Sequence, residues 1–186
     1  MKRPAPFRPL TSGRVTVRPF LEAEFAPVWA AFQARRSGPR ALGARAEARL
    51  RHRITGSGHF TGGSIDLAIE VDGRLIGDVQ ARQPRNAMPP GVFELGIEIY
   101  DPADHGKGYG SVAVRLLTGW LFARMEAERV QAGTAMENAG MRRVLERLGY
   151  TFEGVMRGFM GPPSARQDFA LYGVTRPEWE SRYPAG

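Results

Sequence analysis

A chain of 186 residues with a formal net charge of +7, 42% of it hydrophobic and 24% charged, is the size of one ordinary domain and holds enough apolar material for a packed core. It has no cysteine, which excludes disulfides, thiolate nucleophiles and cysteine-ligated metal together. No apolar run reaches the ~20 residues of a membrane span, and the basic, proline-rich residues 1–10 lack the apolar stretch of a signal peptide, so the sequence reads as a soluble, cytoplasmic chain.

Of the 26 basic side chains only Lys2 and Lys107 are lysines, and the rest are arginines. The excess charge favours an anionic partner, whether a phosphorylated cofactor, an acidic peptide or a nucleic acid, and does not choose among them. No helix-turn-helix, RNP or zinc pattern supports nucleic acid. The three histidines, His52, His59 and His105, have no ligand spacing, so no metal site is expected. Residues 1–12 read as a flexible basic tail, 13–180 as a single domain and 181–186 as a C-terminal tail.

In chain order, residues 15–17 predict a short strand stopped by Pro19. Residues 21–35 predict a helix with Phe25, Val28, Trp29 and Phe32 at helical spacing, ended by Ser37-Gly38-Pro39. Residues 41–54 predict a second, very basic helix. Strands over 64–71 and 74–82 flank Asp72-Gly73, a strong two-residue hairpin signal. The segment 83–91 carries three prolines and reads as a loop. Residues 92–100 alternate with period two. A glycine-rich loop then opens a helix over 108–126. A strand follows over 130–134, then a helix over 138–148 ended by Gly149, and a closing hairpin over 150–160 and 167–174. The order is βααβββαβαββ, an α/β fold class around a mixed sheet.

The chemistry concentrates in His105-Gly-Lys-Gly-Tyr-Gly-Ser111, where a strand ends and a helix begins. Helix N-termini carry unpaired N–H donors and the positive end of the dipole, and glycines let the backbone approach an anion. Such a loop holds a pyrophosphate without metal. It is not a Walker A sequence, and Gly106, Gly108 and Gly110 do not fit the dinucleotide fingerprint. An ordinary tight turn before a helix is the competing reading.

The loop resembles motif A of the GNAT acetyltransferase superfamily, Gln/Arg-x-x-Gly-x-Gly/Ala, written here His105-x-x-Gly108-x-Gly110. The run from Asn138 to Gly149-Tyr150 resembles motif B. Glu94-Leu-Gly-Ile-Glu-Ile-Tyr100 resembles the strand that precedes motif A, and Asp168-Phe-Ala-Leu-Tyr-Gly-Val174 resembles the closing strand. The closest subgroup in pattern is the bacterial RimJ/RimL type, which acetylates protein N-termini. The resemblance implies the GNAT fold, a mostly antiparallel sheet splayed between the strands 92–100 and 130–134, with flanking helices. It implies acetyl-CoA as co-substrate, an amine acceptor and a monomer or homodimer. It also implies that the backbones of Ile97 and Ile99 pair with pantetheine, and that amides from Gly106 through Lys107, Gly108, Tyr109, Gly110 and Ser111 hold the pyrophosphate. His105 stands where Gln or Arg is usual and counts through its backbone. Asn138 either contacts the pantetheine arm or caps the next helix. Lys107 either adds charge at the phosphates or is solvated.

An acceptor amine must lose its proton. An α-amine of pKa ~8 is neutral in roughly a tenth of molecules at pH 7, and a lysine of pKa ~10.4 in far fewer, so a site without a strong base suits an α-amine. Glu94 and Glu98 are the candidate bases, on one face of a regular strand and on different faces if it bulges. A solvated face or an arginine ion pair is the plainer reading of both. The family's proton-donor positions hold Met141 and Leu145, and its further glutamate position holds Gly133. Tyr172 is a fallback donor or a core residue. The basic helix 41–53 hints at a neutral or acidic acceptor, whereas a polycation needs a local cluster of carboxylates. A small-amine (polyamine or antibiotic) acetyltransferase and a non-catalytic acyl-CoA-binding module are the alternatives.

Overall fold

A computed structural model describes residues 5–34, 43–83 and 88–184. The elements are β1 (Leu10–Ser12), β2 (Val15–Arg18), α1 (Phe25–Ala34), α2 (Ala44–Thr55), β3 (Ser64–Val71), β4 (Arg74–Arg82), β5 (Val92–Ile99), α3 (Tyr109–Arg124), β6 (Arg129–Ala135), α4 (Ala139–Leu148), β7 (Thr151–Met160), β8 (Gln167–Thr175) and α5 (Arg176–Arg182). Single 3-10 turns at Glu22–Glu24 and Pro102–Asp104 precede α1 and α3. Every expected element is present, and β1 and α5 are additional. The expected helix stop at Ser37-Gly38-Pro39, with Arg35, Ala41 and Leu42, lies outside the described residues.

The sheet runs β1-β2-β3-β4-β5-β6-β8-β7. Every pair is antiparallel except β5 with β6, which gives the mixed, mostly antiparallel sheet expected. Asp72 (φ +49°) and Gly73 (φ +79°) turn β3 into β4 with both central residues left-handed, the turn whose twist matches a hairpin.

Side-chain alternation divides the sheet into two faces. Val15 and Val17, Ile65, Leu67 and Ile69, Val79 and Ala81, and Phe93 and Leu95 join Val114, Leu117 and Leu121 of α3 and Leu145 and Leu148 of α4 in the main core. On the opposite face Ala68 packs with Phe20, Val28, Leu50 and Ile54 beneath α1 and α2, with Tyr100 against this second cluster. Glu94, Gly96 and Glu98 alternate with the main-core residues of β5 and therefore share the face under α1 and α2.

The expected tail over 1–12 does not hold for its described part. Phe7 is 3% exposed in the main core, its N–H donates to Gly58 O at 2.7 Å, and its ring sits 5.0 Å from that of Trp120. Leu10–Ser12 pairs with Val15–Val17. The C-terminal boundary shifts as well, since α5 continues to Arg182 and the Tyr183 ring lies 4.3 Å from Trp179. Burial of the Phe7 ring, its backbone hydrogen bond and the pairing of β1 with β2 act together against the entropy of ordering this short segment. Phe7→Ala is expected to lower stability by about 3 kcal/mol, read as a lower urea midpoint with an unchanged m value.

Candidate functional site

The site grows from a failure of two strands to stay together. β5 and β6 pair only at Val92–Glu94 with Arg129–Gln131, and beyond Glu94 they diverge. β5 stays in unbroken register with β4 from Glu94 opposite Arg82 to Ile99 opposite Gly77, so no bulge interrupts it and Glu94 and Glu98 share one face. Tyr100 N donates to Ile76 O at 2.9 Å. Peptide groups alternate between the two edges of a strand, so those of Ile97 and Ile99 point into the gap toward β6. The His105 ring confirms that direction from the far side: its Nε2 donates to Ile99 O at 3.2 Å. That carbonyl therefore already has a donor, which the sequence did not anticipate.

The loop that follows is pinned at its start. The Asp101 carboxylate accepts from Ala103 N at 2.8 Å, and His105 N donates to Pro102 O at 3.0 Å. Asp104, 3% exposed, accepts from Arg74 Nη2 at 2.9 and 2.8 Å and from Lys107 Nζ at 3.1 Å. The hydrogen bonds from Arg74 and then Lys107 hold its carboxyl below the ordinary carboxylate value, so this tie remains charged at neutral pH and is lost only as pH falls through that depressed value. Lys107 is thus neither free nor simply solvated. With Arg74 it leaves one net positive charge beside the loop.

Gly106 (φ +73°) and Gly108 (φ +83°, the N-cap of α3) take left-handed conformations that turn successive peptide N–H groups to one side. Val112 N donates to Gly108 O at 3.2 Å as the first backbone bond of α3. Ahead of it, the amides from Gly106 to Ser111 have no backbone acceptor among the described residues. A row of free donors at a helix start, beside an open strand edge, suits a diphosphate on an extended arm.

The remaining expected residues are placed as follows. Asn138 caps α4, its Oδ1 accepting from Met141 N at 3.0 Å, which commits the oxygen and leaves the side-chain NH2. Leu145 is fully buried and Met141 packs against the main core, so neither position offers a donor. Tyr172 is also fully buried. Its hydroxyl donates to Glu146 Oε1 at 2.7 Å and accepts from Arg142 Nε at 3.2 Å, so it is a core residue and not a spare acid.

Glu94 receives Arg82 Nη2 at 2.6 Å across the β4–β5 ladder. Asp78 stands opposite Glu98 and accepts from Tyr100 OH at 2.9 Å. Arg53 of α2 reaches Asp66 at 2.7 Å and Asp78 at 3.5 Å. Burial opposes its charge, and the two carboxylates outweigh burial and hold its pKa above the ordinary value. The basic helix is therefore partly compensated: Arg53 turns inward, and Arg51 pairs with Glu47 at 2.9 Å. Asp66, Asp78 and the Arg74–Asp104 tie were missed from sequence. The available signal was a carboxylate, Asp66 or Asp78, inside each of two apolar-rich strands.

A strand edge opening onto a glycine-rich helix start is a geometry suited to a phosphorylated carrier held through main-chain groups. Residues 14–151 match the acetyltransferase (GNAT) domain family, and the chain belongs to that family. It is 32% identical over 109 residues to the probable N-acetyltransferase YjcK of Bacillus subtilis, a match covering 59% of this chain and 59% of that protein. The chain therefore spans less than two thirds of this curated relative. Among solved structures it resembles ribosomal-protein-S5-alanine acetyltransferase from Vibrio fischeri (TM-score 0.74, 20% identity, 92% of this chain and 98% of that one). It also resembles RimL, a ribosomal L7/L12 α-N-protein acetyltransferase, in complex with coenzyme A (TM-score 0.71, 16% identity, 90% and 98%). Those two likenesses establish the fold. Among the described residues no group of His, Asp and Glu is arranged to hold a metal ion, and no helix is long and apolar enough to cross a membrane.

Proposed function

We propose that the chain is an acetyl-CoA-dependent N-acetyltransferase acting in the cytoplasm on a primary amine, above all a protein or peptide N-terminal α-amine. One observation carries the reading: the free amides from Gly106 to Ser111 and the outward peptide groups of Ile97 and Ile99 meet at the end of the strand that bears Glu94 and Glu98. The amides receive the pyrophosphate, with Lys107 and Arg74 supplying charge. The backbone of Ile97, the N–H of Ile99 and the NH2 of Asn138 receive the pantetheine arm. Acetyl-CoA supplies the activated thioester.

Glu98 is the base we favour. The strands part after Glu94, so Glu98 lies beside the open edge, whereas Glu94 stands where β5 and β6 are still paired. The amine nitrogen bonds to the acetyl carbon as the carbon–sulfur bond breaks. The sulfur leaves with its electron pair, and the amine proton passes to Glu98 directly or through water. A thiol of pKa ~8.5 leaves as thiolate without an acid, which suits a site where Met141 and Leu145 occupy the donor positions.

A cationic small amine is the second reading, and one feature favours it. Asp66, Asp78, Glu94 and Glu98 share the face under α1 and α2 with Arg53 and Arg82, so this face is locally acidic on a chain of net charge +7. Thiol release from acetyl-CoA, measured with peptides varied at residue one, polyamines and aminoglycosides, separates the two. Peptides with a free α-amine are expected to react fastest and their N-acetylated forms not at all. Faster release with polyamines supports the second reading. Tight coenzyme A binding with no release from any acceptor marks a non-catalytic acyl-CoA-binding module.

A further inference from the structure

Along α3, α5 and the N-terminal segment lie two open cavities of about 500 and 450 Å³ that share Leu10, Trp120 and Arg124 as walls. Each falls in the size range of ligand sites. Trp120 lines both cavities, and the buried Trp179 with the Tyr183 ring packed on it lines the larger one. Arg8 and Arg124 stand on the rim and have no hydrogen-bond or ion-pair partner among the described residues. The other two arginines of the walls are committed, Arg115 to Ser12 Oγ at 2.8 Å and Arg176 to Glu180 at 3.1 Å.

Gly119 supplies an independent observation. It lies in the interior of α3 and lines the larger cavity, where glycine is the poorest helix former after proline. A Cβ at this position would meet Trp179 at 3.9 Å, ordinary van der Waals contact. A Cβ alone is therefore tolerated, and a longer side chain would grow toward Trp179 on the wall of the larger cavity. A leucine at this position would fill space beside Trp179 in that cavity.

We infer that this groove is a docking site for an acidic, apolar segment of a partner protein, with large apolar side chains over the half-buried Trp120 and carboxylates at Arg8 and Arg124. Charge argues for a peptide over a nucleic acid. Among the described residues lining the groove only two guanidinium groups are uncommitted, and Glu180 on the wall repels a backbone with a charge at every phosphate. The groove lies at the C-terminal half of α3, with Gly119 about 16 Å along the helix axis from the Gly108 end, so a docked segment leaves the candidate acetyl-transfer site open.

The test uses the full chain and a fluorescein-labelled peptide in which Glu alternates with Phe and Leu, followed by fluorescence anisotropy. The wild type is expected to bind it, and to ignore both the counterpart with Lys in place of Glu and a uridine-rich RNA. Gly119→Leu is expected to weaken binding at least about tenfold, with coenzyme A affinity unchanged as evidence of a folded chain. The double variant Arg8→Glu, Arg124→Glu, confined to the surface, is expected to lose binding in the same way should Gly119→Leu fold poorly. No binding by the wild type, equal binding by the double variant, or preference for the RNA or the lysine peptide would overturn the inference.

Discussion

Replacing Gly108 with valine is expected to weaken coenzyme A binding about a hundredfold while moving the thermal midpoint only slightly. Space is not the reason, because a Cβ at Gly108 meets nothing within 4 Å. The reason is φ of +83°, which costs an L-residue roughly 1–2 kcal/mol and a β-branched one more. A valine relieves that strain by leaving the left-handed region, which rotates the peptide planes on either side and turns their N–H groups away from the anion. Each hydrogen bond to a charged group contributes roughly 1.5–3 kcal/mol. Losing one or two of them amounts to about 3 kcal/mol, or a hundredfold. The loop is exposed and packs against nothing at this point, so the relaxation leaves global stability nearly untouched. Calorimetric titration of the variant beside the wild type reads the ratio. Equal affinities would mean that the amides from Gly106 to Ser111 do not grip the diphosphate.

Glu98→Gln is expected to lower kcat by roughly two to four orders of magnitude, the usual range for a removed general base, with KM for acetyl-CoA little changed. Glutamine keeps the shape and the strand register but cannot take the amine proton. Glu94→Gln is expected to lower kcat less than about tenfold, because its carboxylate is held by Arg82 at 2.6 Å and a half-exposed pair of this kind contributes at most about 1 kcal/mol. Steady-state thiol release across both variants distinguishes them. If Glu94→Gln is the more damaged, the base assignment moves to Glu94, and Arg82 becomes the group that orients it.

Legibility from sequence followed the range of the interactions involved. The glycine loop, the helix it opens, the Asp72-Gly73 hairpin and the two-periodic β5 are all set by neighbours within a few residues, and each appears where the pattern put it. The face shared by Glu94 and Glu98 also follows from period two, once β5 is seen to run in unbroken register with β4. The rest depends on contacts between distant segments. Leu10–Ser12 is too short to signal a strand and is ordered by Phe7 docking on Trp120. A basic helix reads as a cationic surface until Arg53 is found turned inward to Asp66 and Asp78. Lys107 reads as solvated or phosphate-facing until Asp104, three residues back, is found buried beneath it with Arg74 arriving from β4. Tyr172 could not be placed between core and site without knowing that Glu146 and Arg142 of α4 meet its hydroxyl.

All of these assignments turn on whether main-chain donors at the start of α3 hold the carrier's diphosphate. Calorimetric titration of the wild-type chain with coenzyme A, repeated with pantetheine lacking the nucleotide diphosphate, measures that term alone. Micromolar binding of coenzyme A with pantetheine at least about a hundredfold weaker is the expected result. Equal affinity for the two, or no heat with coenzyme A at millimolar concentration, would contradict it.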